Sequence, residues 1–381
     1  MDEEELKPID EAMQDTSDEL DALLAGVGVT CLAIIAERCR NVEGLEIADL
    51  YALSGEDMKK YALIIGEGYA AADKIIERAY EELAEINDAW ASIYYEATKT
   101  PQTKIINHEA MRPTLLQGLA DSAKVTQEMM KTSALGVVDG QGIFRLFATA
   151  YRSYIADAVS AMKAGQETYQ QAIARITREL AQSGLRVQYP SRTMELYSAV
   201  RMNVMDNYKA TMSELRKMQG REFGADGVEI TAHAPCAPDH LPCQGKQYTI
   251  KEYNEIQDGL TRDIETGANC RHRADPIILG VSEPAWSAKM RDELAKQSTE
   301  MVTITGANGA TKEMTRYGAS QYQRQMERGI RKLSEQSYLD PENKALKERI
   351  DRARGDYRRV SKEAGLTTRM ERTRCYTVSV V

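Results

Sequence analysis

Ten residues, Ala62, Ile65, Tyr69, Ala72, Ile76, Ala79, Leu83, Ile86, Trp90 and Ile93, follow one another at spacings that alternate three and four. A helix with 3.6 residues per turn carries such a series along one face, so the segment is predicted to be a long helix whose apolar seam needs a helical partner. That partner is either a second chain in a coiled coil or a neighbouring helix of the same chain, and the interspersed alanines suit close approach in both. Ser54-Gly55-Glu56-Asp57 offers a hydroxyl cap with an acid three residues on, a helix start, and Thr100-Pro101 marks the end.

Helical patterning continues on both sides of this segment. Residues 22–36 are an apolar run of 15, shorter than the ~20 needed to span a bilayer, and read as a buried helix. A helix is expected over 113–130, then a break at 136–142. A third helix carries Ile143, Leu146, Phe147, Ala150, Tyr154 and Ile155. Tyr169, Ile173, Ile176 and Leu180 form the face of a fourth, closed by Ser183-Gly184. After a short extended piece at 185–189, Ser191 caps a helix with Met194, Tyr197, Val200, Val204, Tyr208, Met212 and Leu215 on one side. These methionine and tyrosine stripes are core, because methionine fills irregular helix interfaces.

The pattern changes at Gly220, where glycines and prolines replace periodic apolar residues. Residues 228–231 and 247–250 are candidate paired strands, and a helix is expected from Trp286 to about Thr299. Residues 301–305 and 310–314 flank Gly306-Ala307-Asn308-Gly309, a hairpin turn. Between 319 and 365 two helices return, marked by Tyr322, Met326, Ile330 and Leu333, then by Leu346, Ile350, Ala353, Tyr357 and Val360. Asp340-Pro341 sits between them as cap and first helical position. The expected fold is mainly α with a small α+β module. Its divisions are an acidic helical region (1–100), a helical bundle region (101–220), a Cys/His-containing α+β module (221–315) and a basic helical hairpin with a tail (316–381).

Charge is unevenly distributed. The net charge of -9 resolves into about -16 over residues 1–90, about 0 over 91–300 and about +7 over 301–381. Such a chain either offers its two ends to different partners or simply carries two solvated helix faces. The acidic start lacks the basic head of a signal peptide. Six cysteines in 381 residues are too sparse for a disulfide scaffold, which points to synthesis in a reducing cytoplasm. Ala25-Gly26-Val27-Gly28 lacks the third glycine and the strand of a dinucleotide loop.

The distinctive chemistry lies between residues 233 and 272, which hold three of the four histidines and three of the six cysteines. Cys236, Cys243, Cys270 and His272 could supply four thiolate and imidazole ligands to a structural zinc, with His240 able to replace one. Six residues separate Cys236 from Cys243, more than the two to four usual for such a pair. Packing and hydrogen bonding inside a small fold is the alternative. A third reading is catalytic: Cys270 as nucleophile with His272, His240 or His233 as base and Asp239 as orienting acid.

The segment His233-Ala-Pro-Cys-Ala-Pro-Asp-His-Leu-Pro-Cys-Gln-Gly-Lys246, followed by Asn269-Cys-Arg-His272 and Gly280-Val-Ser-Glu-Pro284, resembles the tailed-phage minor capsid proteins, the minor capsid protein 2 and Mu F-type head morphogenesis group. The likeness extends to residues 151–184, to the 192–204 helix with Ala199-Val-Arg, and to Tyr322-Gln-Arg-Gln-Met-Glu-Arg-Gly-Ile-Arg331, about 141–365 in all. The Mu-like members place a closer cysteine pair at this turn than Cys236 and Cys243. The resemblance implies a non-enzymatic virion component at the portal vertex, acting in head assembly, DNA packaging or DNA delivery. Portal, major capsid and scaffold proteins are the implied partners, with packaged DNA reached through the basic C-terminal helices and no membrane. The competing expectation is a metal-dependent or cysteine hydrolase carried in the virion.

Overall fold

The computed structural model describes residues 3–41, 47–164, 167–265, 270–306 and 309–378. It is mainly helical with three small antiparallel sheets. The helices are α1 (Glu3–Arg40), α2 (Ile47–Thr98), α3 (Met111–Met129), α4 (Phe147–Ala164), α5 (Tyr169–Ser183), α6 (Leu196–Phe223), α7 (Ile250–Gly259), α8 (Ala288–Thr299), α9 (Arg316–Leu339) and α10 (Lys344–Glu363). The strands are β1 (Leu135–Val138), β2 (Phe144–Leu146), β3 (Arg186–Gln188), β4 (Thr193–Glu195), β5 (Gly227–Ile230), β6 (Gln247–Thr249), β7 (Ala274–Ile277), β8 (Met301–Thr305) and β9 (Thr311–Thr315).

The α2 seam is covered within the chain. Ile65, Ala72, Ile76, Ala79, Leu83 and Trp90 are buried in one apolar cluster with residues of α1, α3, α4 and α6, while Ala62 and Ile93 at its ends are exposed. Where α3 crosses α6 the backbones come close. A Cβ on Gly118 would fall inside the Thr211 side chain, so only glycine fits there. Helix α1 has a stretch long and apolar enough to cross a membrane, but 72% of it is buried in this core, as the 22–36 reading expects.

Differences from the sequence reading have local causes. Helix α2 starts at Ile47, not at Ser54, because the Asp57 carboxylate that would complete the cap is taken by Arg38 (2.9 and 3.1 Å) and by the Tyr151 hydroxyl (2.5 Å). The break at 136–142 is instead β1 and the turn to β2. Leu146 therefore lies in a strand and Ile143 before it, both exposed. Ser191 caps no helix; β4 intervenes, placing Met194 in the sheet ordered β2-β1-β3-β4, and α6 begins at Leu196. Asp340 and Pro341 lie in the turn before α10, whose N-cap is Asn343. The segment expected to be a tail returns to the bundle: Thr373 is buried and the Val378 N–H donates to Thr30 Oγ1 (3.3 Å). The β8/β9 hairpin pairs in register from Met301 with Thr315 to Thr305 with Thr311, and Ala307 and Asn308 of its turn lie outside the described residues.

The unlike charges of the two ends meet inside the chain. Asp18 of α1 pairs with Arg369 (3.3 Å) and Arg372 (3.0 Å). Asp21 pairs with Arg201 (2.8 Å) and lies 3.9 Å from Arg331. The polarity seen in the sequence is therefore partly neutralised by packing α1 against the C-terminal segment.

Candidate metal centre

The site is built on the three-stranded sheet β6-β5-β7. Strands β5 and β6 pair antiparallel, Gly227 with Thr249 to Glu229 with Gln247, as the sequence reading expects, and the His/Cys-rich segment joins them. Strand β7, unanticipated, pairs with the other edge of β5 and carries the 270–272 segment to the same end of the sheet. Between β5 and β6 the chain winds through consecutive tight turns, with His240 N–H bonded to Ala237 O (3.1 Å) and Cys243 N–H to His240 O (3.2 Å). Gly245 closes this segment at φ +68, its N–H donating to Ile230 O (2.7 Å). A side chain there would need a left-handed backbone and would press on Arg291.

These turns bring His240, Cys270 and His272, all buried, to one point. Cys270 Sγ lies 3.6 Å from His240 Nδ1 and 3.5 Å from His272 Nδ1, and the two Nδ1 atoms are 3.3 Å apart. The far side of each ring fixes its tautomer. His240 Nε2–H donates to Arg262 O (3.0 Å) and His272 Nε2–H to Gln244 Oε1 (3.1 Å). The His233 N–H also donates to that Oε1 (3.2 Å), which orients the Gln244 amide. Both Nδ1 lone pairs and the sulfur therefore face one another, an arrangement that needs a proton or a cation between them.

The spacing suits a cation. Zinc bonded at ~2.3 Å to sulfur and ~2.0–2.1 Å to nitrogen in a tetrahedron needs about 3.6 Å between S and N and about 3.3 Å between the two N atoms. The observed distances match both. Carbonyl oxygens on the outer ring nitrogens are also the usual support of metal-bound histidines.

The other candidates lie around this trio. Cys236 Sγ sits 3.6 Å from His272 Nε2, on the opposite edge of that ring, and its thiol donates to Ala237 O (3.2 Å). Burial pushes it up to about 12. Cys243 turns into the module's own apolar cluster with Val228, Ile230, Tyr253, Ile264 and Ala274, its thiol pushed up to about 11 by burial. His233 stacks on His272 with centroids 4.3 Å apart and takes a hydrogen bond from Arg271 (2.9 Å). Asp239 pairs with Arg262 through both oxygens (2.5 and 3.1 Å), steadying the segment whose carbonyl orients His240. Asn269 lies outside the described residues. The roles of Gln244 and Arg262 had no signal in residue type or spacing, since each acts on an imidazole distant in sequence.

Electrostatics single out Cys270. Burial raises its thiol, but the contacts with His240 and His272 outweigh this and bring it down to about 5. Without a cation, the proton between the three groups sits on a facing Nδ1 and stabilises the thiolate; the same contact, with Cys270, raises His240. In metal-free protein, alkylation of Cys270 by iodoacetamide is expected to switch on with a midpoint near pH 5, while Cys236 stays unreactive until near pH 12. A Cys270 midpoint near the ordinary 9.0 would contradict the geometry. Because the folded value lies below the unfolded one, the thiolate's contribution to stability is complete above pH 9.0 and is lost as pH falls through about 5.

The trio lines one wall of a polar cavity of about 340 Å³ closed on the other side by α9 and the segment after α10. With this geometry in place, the sequence comparison is decisive: a family model described as phage minor capsid protein 2 matches residues 46–362. The chain belongs to that family. The match takes in the Cys/His trio and reaches upstream through α2 and α3, to residues before the 141–365 span of the resemblance. Membership makes this a structural protein of a phage virion that acts among other head proteins. No curated protein and no solved structure matches the chain.

Proposed function

We propose that this minor capsid protein is a non-enzymatic component of the head at the portal vertex, contacting portal, major capsid or scaffold protein and serving assembly, packaging or delivery of DNA. The family match over residues 46–362 carries the reading. The buried seam supports it by giving a rigid bundle, and the exposed basic residues of α10, Lys347, Arg349, Arg352 and Arg358 among them, offer a face to packaged DNA. Within the module, His240, Cys270 and His272 hold one zinc ion, whose chemistry there is to cross-link β7 to the β5–β6 turn. Cross-linking mass spectrometry on purified procapsids and virions tests the placement. The expected result is the chain in both particles with cross-links to portal; its absence from both overturns the reading.

A second reading has one observation in its favour. A low-lying thiolate beside two imidazoles on a cavity wall is also the layout of a nucleophile with its base, which would make the protein a cysteine or metal-dependent hydrolase carried in the virion. Loss of a measured hydrolysis in Cys270→Ala with the fold unchanged would favour it.

A further inference from the structure

The cavity beside the Cys/His trio is lined by Arg262, Arg271, Arg316, Arg324, Arg369 and Arg372, against a single lining carboxylate among the described residues, Glu327. These arginines come from the α7–β7 connection, the start and third turn of α9, and the segment after α10. More than a hundred residues of chain therefore converge to place like charges around one space. Three further carboxylates approach from behind: Asp239 on Arg262, Glu300 on Arg316 (2.6 Å), and Asp18 on Arg369 and Arg372. Arginines still outnumber the carboxylates that line the cavity among the described residues.

Arg324 is the clearest of them. It is half-buried on α9, and among the described residues it makes no hydrogen bond or ion pair. Burial first, then the neighbouring Arg271 and Arg372, push it below the ordinary arginine value. A folded chain that gathers six guanidiniums around one solvent-open space, one of them without a hydrogen bond or ion pair among the described residues, has a site for an anion, and the planar fork of arginine matches phosphate oxygens in pairs. The volume admits a nucleotide-sized group. The lining is mostly polar and rich in arginine, which suits recognition of a backbone more than of a base.

We propose that this cavity is a phosphate-binding site that takes the phosphate groups of a nucleic acid strand. The inference does not depend on where the protein sits in the head, and it adds a phosphate contact in the cavity to the face that α10 offers.

The test uses the full chain purified without chelator and a fluorescent single-stranded oligonucleotide bearing a 5′ phosphate, read by anisotropy across a salt series. The wild type is expected to bind, and Arg324→Gln to weaken binding at least about tenfold and to lower the slope of log affinity on log salt by about 0.7. Lys251→Gln, which removes an exposed charge of α7 outside the cavity and away from α10, should change affinity less than about twofold. Since Arg324 makes no hydrogen bond or ion pair among the described residues, the variant should melt no lower than wild type, and millimolar phosphate should raise the melting temperature of the wild type alone.

A strand that binds more tightly than nucleoside monophosphate or inorganic phosphate identifies nucleic acid as the source; equal affinities identify a small phosphate ligand, and both keep the site. The proposal is overturned if Arg324→Gln binds as the wild type does, or if Lys251→Gln loses as much. An acidic peptide competing as well as the oligonucleotide also overturns it, as does loss of binding in Cys270→Ser but not in Arg324→Gln, which would assign the phosphate to the metal.

Discussion

Asp275→Ala is expected to destabilise the protein by about 3–5 kcal/mol, measured as a shift of the chemical denaturation midpoint. Asp275 on β7 and Arg216 on α6 form an ion pair in which both side chains are almost fully excluded from solvent. Arg216 also donates to Asn87 Oδ1 of α2 (2.9 Å) and stacks over Trp90 at 4.6 Å. One guanidinium thus joins the long seam helix, the central helix α6 and the sheet that carries the candidate metal centre. Removing the carboxylate leaves a cation in a low-dielectric interior with half of its support gone, and that uncompensated charge is the source of the loss. Arg216 Nη2 and Asp275 Oδ2 have no partner among the described residues, so the pair is not fully satisfied even in the native chain. The double variant Arg216→Met, Asp275→Leu should therefore recover most of the stability, because it removes both desolvation costs together. A loss below about 1 kcal/mol in the single variant would show that the pair does not join the module to the bundle.

The second large effect concerns the metal. Protein isolated without chelator is expected to contain close to one zinc per chain, and Cys270→Ser or His272→Ala to lose it, because each removes one of three converging ligands. Gln244→Ala should weaken binding by about 10–100-fold, the range seen when an outer-shell partner of a metal-bound histidine is removed. Cys236→Ala and Cys243→Ala should keep the metal, since their sulfurs face Ala237 O and the module's apolar cluster. Cobalt(II) in place of zinc gives a thiolate charge-transfer band that should vanish in Cys270→Ser alone among the three cysteine variants. Metal retained in Cys270→Ser and lost in Cys243→Ala would refute the assignment.

Particular elements show how much of this could be read without coordinates. The α2 seam, the α5 cap at Gly184, the β5–β6 pair and the β8/β9 hairpin follow from periods and turn residues acting within a few positions. Short strands β1, β2 and β4 escaped because three or four residues carry too little alternation to compete with adjoining helical patterns. Strand β7 was hidden by Pro276, which reads as a breaker but is tolerated at a sheet edge. The cap proposed at Ser54 failed for another reason: its acid is engaged by Arg38 and Tyr151 from other helices.

The sequence by itself determined that the chain is helical around a covered seam, that a turn-rich module interrupts the helices at Gly220, and that the metal-ligating residue types collect between 233 and 272. Only the tertiary structure decided which of them meet. Ligand sets depend on where side chains point after several turns, and a change of one turn sends Cys243 into the core while His240 reaches Cys270. The same holds for the arginine cavity, whose members lie up to 110 positions apart from Arg262 to Arg372 and share no local pattern. Helical period is a property of neighbouring residues, whereas a binding site is a property of distant ones brought together by packing.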